Sequence, residues 1–321
     1  MVLGPLTFNE IFRPAPWGGH ALARLAAKRL PPGALIGESL EISDRSVVAG
    51  GPLAGRTLQQ LVDAEPVALM GRRLKRFPLL IKLLDMAGGV SVQVHPDDRC
   101  AREMKLQDAG KTEAWYILRA GPPGCVVTGI KSAGDVPRLR ELAASGEIAD
   151  RLTCGSPKAG ELWFCPAGTV HGAGPGVVAL EVQQNSNATF RIYDWRRPGL
   201  DGKLRELHLE ESRRAIDPAS KLRRQRARQL RGMPFPASRL VACDKFTMDS
   251  WAVSRRVAME KAGRFEILHV LSGSGRLSDG RWPPARLSKG RTVLLPACVR
   301  EYELQPSRPL RLVRIAEGEN H

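Results

Sequence analysis

No stretch of this 321-residue sequence approaches the roughly 20 uninterrupted apolar residues that a membrane-spanning helix needs. No Cys-x-x-Cys occurs either. The six cysteines, at 100, 125, 154, 165, 243 and 298, stand at wide and unrelated spacings. That excludes a zinc knuckle and a thioredoxin-like motif, and in a chain this long it favours reduced core thiols over a disulfide framework. The first ten residues lack the basic start, apolar run and small-residue cleavage site of a secretory signal. A cytoplasmic protein is therefore expected. Acidic residues are short as well: 33 Asp and Glu stand against 49 Lys and Arg, a formal charge of +16. Such an excess draws phosphate, on nucleic acid or on a small metabolite, although a solvated basic surface is the plainer alternative. Most of the charges alternate in sign, and only residues 221–231 form a dense basic run. That run has no interleaved aromatics on which bases could stack, so specific nucleic-acid binding is not expected.

What is present is a chain 43% hydrophobic, long enough to bury one or two sizeable cores. Short apolar segments bounded by Gly, Pro and Asp read as strands at 78–85, 90–95, 113–119, 125–130, 162–166, 177–184 and 189–194. More follow at 241–248, 267–271, 292–296 and 310–315. Helical patterns lie at 57–75, 97–107, 136–152 and 206–216. Short strands at regular spacing, with helices as additions, predict a mainly β fold of the β-sandwich or jelly-roll kind. The Pro-containing basic stretch 217–239 reads as a linker between a larger unit, 1–216, and a strand-rich C-terminal unit, 240–321. Residues 160–171 and 290–300 are faintly alike, each a Gly-led strand running into Pro-Ala, as two related β-units would be.

Three segments carry chemistry. In Val-Ser-Val-Gln-Val-His-Pro-Asp-Asp at 90–98, strict alternation puts the valines on one face of a strand and Ser91, Gln93 and His95 on the other. Those three polar residues line a polar pocket or face solvent. In Gly-Lys-Thr-Glu-Ala-Trp-Tyr-Ile-Leu at 110–118, Glu113 opens an apolar strand, where a buried carboxylate demands a partner or a metal; a strand-terminal Glu facing water is the alternative. In Gly-Glu-Leu-Trp-Phe-Cys-Pro-Ala-Gly-Thr-Val-His at 160–171, a strand ends at Pro166, Ala167-Gly168 turns the chain, and His171 is presented soon after. Two imidazoles, a carboxylate and an amide oxygen suit a catalytic Zn²⁺ with open positions, or a non-haem Fe²⁺ centre. Further on, alternation over 189–193 puts Thr189, Arg191 and Tyr193 on one face. Arg191 then points into the same pocket, where a guanidinium suits an oxyanion, or it pairs with Asp194 or Glu181 for structure.

The 160–171 segment resembles the second signature of the cupin superfamily, without the Asn that usually follows the histidine. Taken with Pro-Trp-Gly-Gly at 16–19, Ile-Gly-Glu-Ser-Leu-Glu-Ile-Ser at 36–43, Pro-Leu-Leu-Ile-Lys at 78–82, Glu-Val-Gln-Gln at 181–184 and Arg-Ile-Tyr-Asp-Trp at 191–195, the chain resembles the type I mannose-6-phosphate isomerases of the short bacterial form. The likeness runs in order from residue 16 to 195, and the C-terminal unit fits the family's second cupin barrel more loosely. It departs at Leu40, where Trp is usual, and at 185–187, where Ser-Ser-Asp is usual. It also departs at Cys298-Val-Arg300, which lacks a ligand histidine, so the second barrel is expected to be degenerate and metal-free.

The resemblance implies one Zn²⁺ per chain on His95, Glu113 and His171, with Gln93 as a possible fourth ligand and Arg191 as an active-site arginine. It implies interconversion of mannose 6-phosphate and fructose 6-phosphate through a cis-enediol. The base is expected at Lys111, two residues before Glu113, because a nearby cation and desolvation would both favour its neutral amine. A phosphate-binding or surface lysine is the alternative there. Ser91, Gln93 and Lys131 are candidates for holding substrate. A small sugar phosphate is the expected partner, with no membrane and a monomeric or homodimeric state. An iron-dependent cupin oxygenase and a non-catalytic sugar-phosphate-binding cupin are the competing readings.

Overall fold

The structure is a computed structural model that describes residues 3–318. Its strands in chain order begin with β1 (Ile11–Gly19), β2 (Ile36–Ile42), β3 (Leu79–Met86), β4 (Val92–Val94), β5 (Glu113–Ala120) and β6 (Val126–Ile130). There follow β7 (Leu152–Gly155), β8 (Leu162–Cys165), β9 (Gly172–Ala173), β10 (Val177–Gln184), β11 (Phe190–Tyr193) and β12 (Arg223–Gln225). Antiparallel pairing orders seven of these as β1-β2-β3-β10-β5-β8-β12 in one sheet. Facing it are two small sheets, β11-β4 and β7-β6-β9. Reciprocal backbone hydrogen bonds of 2.9 Å between Gln93 and His171 join them into one layer. The two layers make the expected jelly-roll barrel.

The large sheet has two different faces, and the period-2 alternation of its strands assigns them. On β3, Ile81 and Leu83 face one way with Val178, Leu180 and Val182 of β10 and Ala114 of β5, whereas Lys82, Leu84 and Met86 face the barrel interior. The first set belongs to a core that also takes in Phe246, Met248, Ile267, Val313 and Ile315 from the C-terminal unit. One apolar core therefore glues the two units across the sheet.

The C-terminal unit comprises β13 (Arg228–Gln229), β14 (Ala237–Ala242), β15 (Phe246–Val253), β16 (Val257–Glu260), β17 (Glu266–Ser278), β18 (Ala285–Ser288), β19 (Thr292–Leu295) and β20 (Glu301–Glu317). The long strands β17 and β20 bend at register shifts between Val270 and Ser274 and so serve both layers of a second barrel. Its interior is filled by Trp251, Val270, Leu287, Leu295, Tyr302 and Leu304, among others.

Helices are short additions: α1 (Ala21–Leu25), α2 (Leu58–Ala64), α3 (Pro66–Met70), α4 (Asp98–Glu103), α5 (Leu139–Ser145) and α6 (Leu209–Ala215). The single helix expected at 57–75 is two, because Pro66 at the start of α3 cannot continue the hydrogen-bond ladder of α2. The strand expected at 241–248 is a hairpin that turns at Cys243–Lys245. The stretch 217–239 is not a free tether. Its β12 pairs with β8 at the edge of the first sheet, and its β13 pairs with β14 at the edge of the second. Among the described residues, no helix is long and apolar enough to cross a membrane.

Candidate metal centre and active site

Three strand ends bring the centre together. β4 delivers Gln93 and, one residue past its end, His95; β5 opens on Glu113; and the turn after β8 delivers His171. That turn needs Gly168, whose φ of +83° suits a residue without Cβ and whose N–H donates to the His95 carbonyl at 2.7 Å. Lys111 is placed by its own N–H, which donates to the Pro96 carbonyl at 2.9 Å.

His95, Glu113 and His171 are at most 1% exposed, and their ligand atoms all lie within 4.8 Å of one another. His95 Nε2 is 3.3 Å from Glu113 Oε2, and His171 Nε2 is 3.2 Å from Glu113 Oε1. A tetrahedral cation with bonds of about 2.1 Å needs ligand atoms about 3.4 Å apart. The second ring nitrogens are committed elsewhere: His95 Nδ1 donates to the Ala188 carbonyl and His171 Nδ1 to the Thr169 carbonyl, each at 2.9 Å. This fixes the Nδ1 protons outward and turns both Nε2 atoms inward, the usual way of orienting a metal-ligating histidine.

The electrostatics agree with a cation site. Both Glu113 oxygens are buried without a well-formed hydrogen bond, although the Lys111 ammonium stands 2.7 Å from Oε2. Burial would raise the Glu113 pKa, but Lys111 and the two histidines outweigh it and hold the carboxyl well below its usual range. Burial, reinforced by Lys111, pushes His95 down to about 3, so that imidazole is neutral. At His171 burial is outweighed by Cys165 and Glu113, and its pKa lies well above the ordinary value. Gln93 Nε2 is 3.2 Å from His171 Nε2. One imidazole nitrogen cannot both donate to Glu113 and accept from the Gln93 amide. Turning the Gln93 amide removes the conflict by presenting its oxygen to the same point, and a divalent cation there would take lone pairs from all sides. The residues present fit such an ion.

Beside the triad lies a cavity of about 200 Å³, lined by Ser91, Gln93, Lys111, Thr189 and Arg191, with Trp17 and Trp115 on its walls. Arg191 has no carboxylate partner among the described residues; its NH1 donates to the Glu206 carbonyl at 2.7 Å. Asp194, the expected structural partner, is taken by Arg197 and Arg205. Glu181 is taken by Lys82 and the Trp115 indole. Two expectations change. Lys131 is exposed and bonds the Asp150 carbonyl at 2.7 Å, outside the cavity lining, because β6 ends before it on the far layer. Tyr193 leaves the face of Arg191, since a register shift between the two sends it into the core.

Comparison with known proteins now decides the family. The chain is 33% identical over 309 residues to the mannose-6-phosphate isomerase ManA of Bacillus subtilis, covering 95% of this chain and 97% of that one. The chain belongs to the type I phosphomannose isomerases. Residues 12–114 match the family model for the phosphomannose isomerase type I catalytic domain, and 237–315 match that for the mannose-6-phosphate isomerase cupin domain. A crystal structure of mannose 6-phosphate isomerase from Bacillus subtilis superposes with a TM-score of 0.87 at 29% identity, over 98% of this chain and 99% of that one. A more distant mannose 6-phosphate isomerase, solved bound with zinc and yttrium, shares the fold at 16% identity and a TM-score of 0.74, over 99% and 100% of the two chains.

The cavity also holds residues that the motifs did not single out. Lys82, 8% exposed, lies 3.2 Å from Glu181 and 3.4 Å from Glu38. Burial opposes its charge, but the two carboxylates win and raise its pKa, so Lys82 is a fixed cation. Arg205 is a second guanidinium on the rim. A lysine interrupting the apolar run of β3 was the available signal for the first. Nothing marked Arg205, which arrives from a loop.

Proposed function

We propose that this chain interconverts mannose 6-phosphate and fructose 6-phosphate with one zinc ion held by His95, Glu113 and His171, and with the Gln93 amide oxygen as a fourth ligand. The observation that carries this reading is the buried two-histidine, one-carboxylate cluster opening on a cavity lined by Lys111 and Arg191. A bound Zn²⁺ supplies Lewis-acid polarisation of the adjacent sugar oxygens O1 and O2.

The chain's own groups supply the rest. The reaction opens the ring and moves one proton between C1 and C2 through a cis-enediol. Lys111 Nζ, which reaches the cavity beside the triad, is assigned the transfer of that proton: as the neutral amine it takes the proton from one carbon, and as the ammonium it returns it to the other. Arg191, free of any carboxylate, is assigned the negative charge that develops on the enediol oxygens, where a preorganised guanidinium acts strongly. The Ser91 hydroxyl, on the same wall, is assigned to the substrate. Trp17 and Trp115 exclude water from one side of the site. A cytoplasmic setting accords with six cysteines that are all unpaired.

The test is fructose 6-phosphate formation from mannose 6-phosphate by zinc-loaded protein, beside a chelated aliquot. Zinc-dependent turnover that falls about 100-fold or more in Arg191→Ala is the expected result. Metal binding without turnover refutes the substrate; iron content with oxygen uptake would replace the reading by an oxygenase.

A further inference from the structure

A second cationic cleft lies away from the His95, Glu113 and His171 cluster. It is a space of about 610 Å³ between the N-terminal segment and the second barrel, three times the volume of the catalytic cavity and within the size range of small-molecule sites. Five basic residues line it: Lys28, Arg29, Arg286, Lys289 and Arg291. The acidic lining residues are Glu10 and Glu41, which leaves the lining a net charge of +3. Arg29, Arg286 and Arg291 have no carboxylate partner among the described residues.

The floor is built rather than incidental. Lys28, 6% exposed, donates to Glu41 at 2.8 Å, and Glu41 also accepts from Ser39 at 2.7 Å and from Thr292 at 2.9 Å. This fully satisfied buried network fixes the position of the floor. The walls are fixed too. Gly290, with φ +76°, sits so close to the Ala26 carbonyl that a Cβ would stand 1.7 Å from it. Lys289 donates to the Arg24 carbonyl at 3.2 Å. The turn between β18 and β19 is thus clamped onto the end of α1.

We propose that this cleft is a second ligand site, for a small molecule carrying a diphosphate. Unpaired guanidiniums fork onto phosphate oxygens, and a concave positive surface focuses its field on an anion. Each phosphate brings about −1.5 to −2 charge, so two of them balance the lining. Phe8, 6% exposed, is the aromatic in the lining, so no open ring is offered for stacking a base. The phosphates are what is recognised. One strand separates this site from the catalytic one: Glu38 of β2 lines the catalytic cavity and Glu41 the second cleft. The proposal goes beyond the isomerase reading and does not depend on it.

The test is calorimetric titration of the zinc-loaded full chain with inorganic pyrophosphate, with ADP as a second arm and citrate as a non-phosphate anion of similar charge. Pyrophosphate should bind, citrate should bind at least tenfold more weakly, and Arg191→Ala should leave pyrophosphate binding intact. Arg286→Glu with Arg291→Glu should weaken pyrophosphate at least tenfold while kcat/KM for mannose 6-phosphate stays the same. Lys289→Glu, at an exposed turn, gives a second variant, and unchanged melting temperatures confirm that both fold. ADP binding as tightly as pyrophosphate identifies a nucleotide as an acceptable source; weaker ADP binding confines the site to smaller diphosphates. No binding to the native chain, equal affinity for citrate, or binding lost in Arg191→Ala but kept in the cleft variants would overturn the proposal.

Discussion

Replacing Glu113 by Gln keeps the shape of the centre and removes its one negative charge. The side chain is 0% exposed and stands 2.7 Å from the Lys111 ammonium, itself 4% exposed. Without the carboxylate, a buried cation and two inward-facing imidazoles lose their counter-charge. Stranding one partner of a buried ion pair costs about 3–5 kcal/mol. At about 2–4 °C per kcal/mol, the zinc-stripped variant should melt about 6–20 °C below the zinc-stripped native chain. Zinc affinity should fall by more than the roughly 10–100-fold that loss of a supporting group costs, since a direct ligand is removed. Scanning calorimetry of stripped protein and metal analysis after dialysis against a weak chelator read the two effects separately. The paired change Lys111→Met with Glu113→Leu should be less destabilising than Glu113→Gln alone, because it removes both charges together. A Glu113→Gln protein that keeps one zinc and melts within 2 °C of the native chain would refute the carboxylate as both ligand and counter-charge.

Arg191→Ala should reduce turnover by about 10²–10³-fold, the scale for losing one oxyanion-stabilising group, while bound zinc is unchanged. Lys131→Ala should leave kcat/KM within about twofold, as befits an exposed side chain bonded to a carbonyl. Burial, with Lys28 nearby, lowers the His269 pKa from 6.5 to about 3. The unfolded chain therefore takes up a proton that the folded chain refuses. The stability associated with this residue is complete above pH 6.5 and falls by about 1.4 kcal/mol per pH unit below it. Urea unfolding of His269→Asn should show a shallower decline between pH 6.5 and 4 than the native chain, and equal slopes would contradict the burial argument.

The parts of the site legible in the sequence were those where local pattern and chemistry coincide. The Pro-Ala-Gly turn before His171 has a backbone requirement that a glycine meets, and Glu113 is conspicuous because it opens an apolar strand. Alternation puts Arg191 on one face of its strand, and the side chain lines the cavity; it fails two residues later, where a register shift moves Tyr193 to the other face. β1 and β2 escaped the reading because their apolar residues are interrupted by Pro, Gly and charged groups, and pairing across the sheet, not pattern, makes them strands. Lys82, Glu38 and Arg205 reach the cavity from elements far apart in sequence, and no local signal reports that convergence.

The segment from 217 to 239 looked like a tether, yet it supplies an outermost strand to each of the two sheets. Truncation at 216 would remove β12 and leave β8 as a bare hydrogen-bonding edge, open to pairing with other chains, and a cut after residue 229 would strip β13 from β14 in the same way. Separating the halves would also break the shared core in which Ile81, Leu83 and Leu180 lie with Phe246 and Ile315. The half that bears His95, Glu113 and His171 is therefore not a module that can be lifted out. Truncation at its apparent boundary should yield insoluble material, and fusions or split-protein designs should keep the crossing strands intact.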